Sequence, residues 1–144
     1  MIEPDTIKLL RECDAGIKMG VTSIDEVIHH VKSEKLREIL KDSKAEHEKL
    51  RSEIETMLSD YEDEGKDPNP IAKGMSWMKT NLTLGIDESD KKVADLMIDG
   101  CDMGVKSLSR YLNQYEASQE KVKDIAKKLI RIEEHLSKDL RDFL

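Results

Sequence analysis

An all-α fold, a four-helix bundle made of two repeated helical hairpins, is predicted by three features of this 144-residue chain. Apolar residues recur at alternating spacings of three and four in four separate stretches, the mark of amphipathic helices. One fingerprint is written twice: Cys13-Asp14-Ala15-Gly16-Ile17-Lys18 returns as Cys101-Asp102-Met103-Gly104-Val105-Lys106, and Glu46-His47 returns as Glu134-His135, the step being 88 residues in both cases. Composition agrees. With 38% charged residues, 3% aromatic ones and three prolines, the balance is that of a helical bundle with a solvated surface.

The first helix is read from the seam Ile7, Leu10, Asp14, Ile17, Val21, Ile24, Ile28 and Val31, in which one position is an acid. The second follows Leu36, Leu40, Ser43, His47, Leu50, Ile54, Met57 and Tyr61, with Ser33 placed to cap its start. Only a few residues separate the two, so they form an antiparallel hairpin. Ile98, Cys101, Val105, Leu108, Leu112 and Tyr115 mark the third helix, begun at Asp87 or Ser89. Ser118 is the expected cap of the fourth, whose seam is Val122, Ile125, Leu129, Ile132, Leu136, Leu140 and Phe143.

Between the hairpins, Gly65, Pro68 and Pro70 end the second helix. A short helix is predicted after them, because Pro70 suits a first turn and Ile71, Met75, Met78 and Leu82 share a face with Trp77 beside it. A connector of about 25 residues is long for a bundle and is better explained by a chain returning along it. Two hairpins joined by one long crossover describe the ferritin-like topology; the rival is an up-down-up-down bundle. The whole of 1–144 reads as a single domain, with hairpin one about 5–64, the crossover about 65–88 and hairpin two about 89–144.

Arg11 to Gly20, the connector Pro70-Ile71-Ala72-Lys73-Gly74-Met75-Ser76-Trp77, and Gly100 to Ser107 resemble an uncharacterised bacterial family of small ferritin-like four-helix-bundle proteins. The resemblance covers nearly the whole chain. It implies the bundle fold and no particular reaction.

A net charge of -7, with basic residues scattered among acids, leaves no stripe that could neutralise a run of phosphates, so nucleic acid is not an expected partner. No stretch approaches the roughly 20 apolar residues that span a bilayer, and Met1 to Asp14 carries Glu3, Asp5 and Glu12 in place of a signal-peptide core. A cytoplasmic protein with two reduced cysteines is the expectation. No Gly-rich phosphate loop, paired CxxC, nucleophile elbow or Rossmann fingerprint is present, which leaves ordinary enzyme classes unsupported.

The candidate chemistry is a metal site at mid-bundle. Di-iron bundles use one carboxylate from each of two helices and a Glu-x-x-His pair from each of the others. Here Asp14 and Asp102 lie mid-way along helices one and three, and Glu46-His47 and Glu134-His135 mid-way along helices two and four. The pattern departs from the di-iron one because Lys44 and Ile132 stand three residues before the histidines, and adjacent residues point about 100° apart. Asp14 also misses the level of His47 by roughly 6 Å, whereas Asp102 and His135 differ by roughly 3 Å. The residues selected as ligands for iron, manganese or zinc are therefore His47, Asp102, Glu134 and His135, with Asp139 in reserve. The competing account needs no metal: Asp14 and Asp102 pair with Lys18 and Lys106 one turn on, and His47 is a buried histidine bonded to Ser43 or another helix.

Gly16, Gly20, Gly100 and Gly104 fall inside helices, where each costs about 1 kcal/mol relative to alanine. Close approach of helices one and three is the favoured compensation, and room for a ligand the alternative. Cys13 and Cys101 read as small buried residues with no basic partner to favour a thiolate. Met75, Trp77 and Met78 either cover the bundle flank or form a homodimer patch. The function favoured is a non-catalytic interaction or self-associating module; the alternative is a metal-binding ferritin-like protein with an atypical site.

Overall fold

The computed structural model describes residues 3–68 and 89–144. These form four long helices: α1 (Pro4–Val27), α2 (Glu34–Asp60), α3 (Asp90–Gln114) and α4 (Glu120–Leu140), and no strand occurs among the described residues. The short helix expected after Pro70, the Asp87 cap and the Trp77 patch lie outside the described residues.

Local chemistry sets the helix starts. Ser33 Oγ accepts from Leu36 N at 3.3 Å and Ser89 Oγ from Lys92 N at 3.2 Å, each satisfying an amide that the first turn leaves without a partner. Ser118 does not cap α4. The N-cap is Gln119, whose side chain makes no capping bond, while the Ser118 hydroxyl donates to Tyr115 O and closes the preceding turn.

Helix directions follow from bonds at the two ends. Lys32 N and Ser33 N, in the α1–α2 turn, donate to the Asp90 carboxylate at the start of α3. At the opposite end Ala117 N and Gln119 N, in the α3–α4 turn, donate to Asp5 and to Thr6 Oγ1 at the start of α1. Thus α2 and α3 begin at the same end, and the order is up, down, down, up. The chain leaves α2 at one end and enters α3 at the other, which the up-down-up-down alternative does not allow. Residues 61–68 already travel that way, running back along α1: Asp63 takes a two-pronged bond from Arg11 (3.1 and 2.6 Å), Lys66 N donates to Asp14 at 3.0 Å, and Asp67 meets Lys18 at 3.2 Å.

In cross-section the bundle is a rhombus, with α1 and α4 meeting across its short diagonal and α2 and α3 at the far corners. Its interior is divided along the axis. One apolar cluster takes Ile24, Val27, Leu36, Leu40, Met97, Leu136 and Leu140; the other takes Leu10, Ile17, Leu50, Ile54, Leu108, Ile125 and Leu129. Each fully buried Leu or Ile contributes about 1.5–3 kcal/mol. Between the clusters, at the level of residue 20 in α1 and 47 in α2, lies a polar layer.

Candidate functional site

His47 enters that layer because it occupies the seam of α2, three residues before Leu50 and four after Ser43, so the helix that buries its leucines buries the imidazole too. It is fully buried. Glu133 meets it from α4, four residues after Leu129 and three before Leu136, and is 8% exposed. His47 Nε2 and Glu133 Oε1 are 3.0 Å apart, and His47 Nδ1 is 2.7 Å from the Ser43 carbonyl oxygen.

The carbonyl settles the proton inventory. It can only accept, so Nδ1 carries a hydrogen and donates. The contact between Nε2 and the carboxylate then needs a second proton between them, held as imidazolium–carboxylate or as imidazole–carboxylic acid. Burial pulls the His47 pKa down, yet the bond to Glu133 and its charge, the Ser43 carbonyl and Glu46 together hold it above its ordinary value. One proton is shared by a buried pair that is neutral as a whole.

Two further residues complete the layer. A Cβ on Gly20 would come within 2.6 Å of His47 Cδ2 and Nε2, so only glycine lets α1 pass over the ring. Cys101 is 2% exposed, and burial, followed by the charge of Glu133, pushes its thiol pKa up. Cys13 is pushed up to about 12 by burial and by Glu12 and Asp14. Both cysteines are free and buried, and neither is a thiolate nucleophile at neutral pH.

A cleft opens onto this layer between α1 and α3, with a volume of about 270 Å³. Met19 and Met97 form its walls, Gly20 and Gly104 its thin places, and His47 and Glu133 its floor. Gly16, Gly20 and Gly104 do not serve the close α1–α3 approach expected of them. Gly16 and Gly104 face α4, where an added Cβ would meet Leu129 at 3.4 Å and Glu133 at 3.6 Å, and Gly20 faces the imidazole. Of the neighbouring pairs, α1 and α3 touch least, and the space between them is the cleft.

Of the four residues chosen as metal ligands, only His47 is buried. Asp102 is exposed and accepts from Ser137 Oγ at 3.3 Å. Glu134 is exposed, and the His135 side chain is 61% exposed, with Nε2 3.2 Å from Asp139 and Nδ1 4.0 Å from Glu46. The reserve ligand Asp139 thus pairs with His135 at the surface. These residues are not brought together. Among the described residues no group of three or more His, Cys, Asp or Glu could hold a metal ion, and both nitrogens of His47 are already engaged. Asp14 and Lys18 do form the expected one-turn pair, at 2.9 Å, but Asp14 is 1% exposed and sits under residues 65–66, not on the surface.

The residue that sequence reasoning passed over is Glu133. The periodicity places Ile132 on the seam of α4, yet Ile132 is only half-buried and Glu133 lies inside. Its spacing from Leu129 and Leu136 was the available signal. The repeat points instead to Glu134, the counterpart of Glu46, whereas Glu133 corresponds to Ala45 and has no acidic partner in the first half.

Among the described residues, the class these features define is an all-helical fold of four long helices with a polar layer at mid-height. By sequence the chain matches no protein-family model and no curated protein. By structure it is similar to the crystal structure of a DUF305 fragment from Deinococcus radiodurans, with a TM-score of 0.78 at 13% identity over 98% of this chain and 95% of that one. That likeness concerns the fold alone. No helix among the described residues is long and apolar enough to cross a membrane.

Proposed function

We propose that this protein is a cytoplasmic, ferritin-like single-domain bundle that acts by binding and not by catalysis, with the α1–α3 cleft as its binding site. The observation that carries the reading is a cleft of about 270 Å³ whose floor is a buried hydrogen-bonded pair, His47 and Glu133. The helix order supports the ferritin-like placement. A floor of this kind orients a bound group. The protonated thiols and the His47 ring, committed at both nitrogens, offer no free nucleophile or base.

The test is to denature protein purified without organic solvent and analyse the released small molecules by mass spectrometry. A near-stoichiometric compound is expected from the wild type and is absent from a folded Gly104→Leu variant, whose new side chain fills the cleft. Equal recovery from both proteins, or none from either, refutes the reading. Self-association is a second reading, favoured by Met103, which lines the cleft and is 61% exposed. Light scattering decides it: a dimer that dissociates in Met103→Asp supports it, and a monomer at all concentrations ends it.

A further inference from the structure

We infer that the α1–α3 cleft takes a neutral, bicyclic-sized apolar molecule with one N–H or O–H donor, which the Glu133 carboxylate accepts. This rests on reading the cleft as a binding site. Size comes from the volume: an apolar cavity of roughly 150 Å³ holds a benzene ring, and about 270 Å³ accommodates a fused pair of rings. Methionine walls, Met19 and Met97, suit a flat ring because the thioether is polarisable and adapts its rotamer.

The donor requirement comes from Glu133. A carboxylate offers about four lone-pair sites, and the hydrogen bond Glu133 makes among the described residues is the one to His47 Nε2 through Oε1. Oε2 lies 3.6 Å from where a Gly104 Cβ would stand, against the part of the wall that has no side chain. Acceptor capacity is therefore left over at a buried, cleft-lining group, and a ligand hydrogen bond there is formed away from water.

Neutrality comes from the charges that face the site. His47 and Glu133 share one proton and are neutral together, while Lys66 and Glu12, which also line the cleft, form an ion pair with each other. A ligand cation would meet the protonated imidazole and an anion the carboxylate, both at low dielectric. A neutral donor meets neither penalty.

Indole and indene separate the two parts of the claim, since they match in shape and differ in the N–H. Calorimetric titration of the full chain at pH 7, with ¹H–¹⁵N spectra to locate the site, is expected to give indole binding at least tenfold tighter than indene. Amide shifts should centre on Gly20, Gly104 and Glu133, and both ligands should fail on Gly104→Leu, whose folding is checked by its thermal melt. Equal affinity for the two probes overturns the donor assignment and leaves the cleft as an apolar binding site. Binding of neither probe, or shifts centred elsewhere, overturns both.

Discussion

Replacing Glu133 by glutamine keeps the shape of the polar layer and removes its shared proton. In the variant, His47 still donates from Nδ1 to Ser43, and Nε2 becomes an acceptor for the glutamine amide. A charge-assisted bond of about 1.5–3 kcal/mol is exchanged for a neutral one of about 0.5–1.5 kcal/mol, so the loss near neutral pH is about 1–2 kcal/mol. The pH dependence changes as well. In the wild type the folded-state pKa of His47 lies above the ordinary 6.5, so the pair's contribution is complete below that pH and is lost as pH rises through the folded value. Without Glu133 its bond and its charge no longer favour the imidazolium, while burial still opposes it and the Ser43 carbonyl and Glu46 still support it, so the folded-state pKa of His47 falls relative to the wild type. The difference between the proteins is therefore largest, about 1–2 kcal/mol, where the wild-type pair holds its proton, and it narrows as pH rises through the folded value. For a chain of this size 1 kcal/mol moves Tm by about 3–4 °C. Melts followed by circular dichroism should therefore separate by about 3–8 °C below pH 6.5 and converge as pH rises. Parallel curves, or a gap that widens with pH, would refute the shared-proton assignment.

Two mid-helix glycines should respond oppositely to alanine. Gly104→Ala meets only ordinary contact at 3.6 Å and gains about 0.5–1 kcal/mol of helix propensity, whereas Gly20→Ala drives a methyl to 2.6 Å from the buried ring and costs about 1–2 kcal/mol net; urea unfolding midpoints check both. Asp14→Ala removes the acceptor for Lys66 N and the partner of Lys18, costs about 2–3 kcal/mol, and should speed tryptic cleavage at Lys66. Gly65→Ala should expose the same bond, because its φ is +80° and a Cβ there stands 2.3 Å from Asp14 Oδ2; an unchanged cleavage rate in both variants removes Asp14 as the anchor of residues 65–66. Ser33→Ala should cost about 1 kcal/mol in thermal melts through the lost α2 cap.

Periodicity alone determined the four helices and most of their core. Spacings of three and four are a property of the backbone screw, so Leu10, Ile17, Leu50 and Leu129 could be assigned inward without knowledge of any neighbour. The serine caps of α2 and α3 were legible for the same reason, being bonds within one turn. The His47–Ser43 contact was local too, one turn apart on the same helix.

Only the tertiary structure decided which acid faces His47, because Glu133 lies 86 residues away and helix rotation, not sequence equivalence, chose it over Glu134. The repeat gives both halves like residues at like positions, yet His47 is buried and His135 exposed, Asp14 buried and Asp102 exposed. In a rhombic bundle the corner and diagonal helices have different neighbours, so identical letters meet different surroundings. The cleft is tertiary for the same reason: a glycine announces missing volume, and only the opposing helices determine whether, among the described residues, that volume is filled by a ring, as at Gly20, or left open, as beside Gly104.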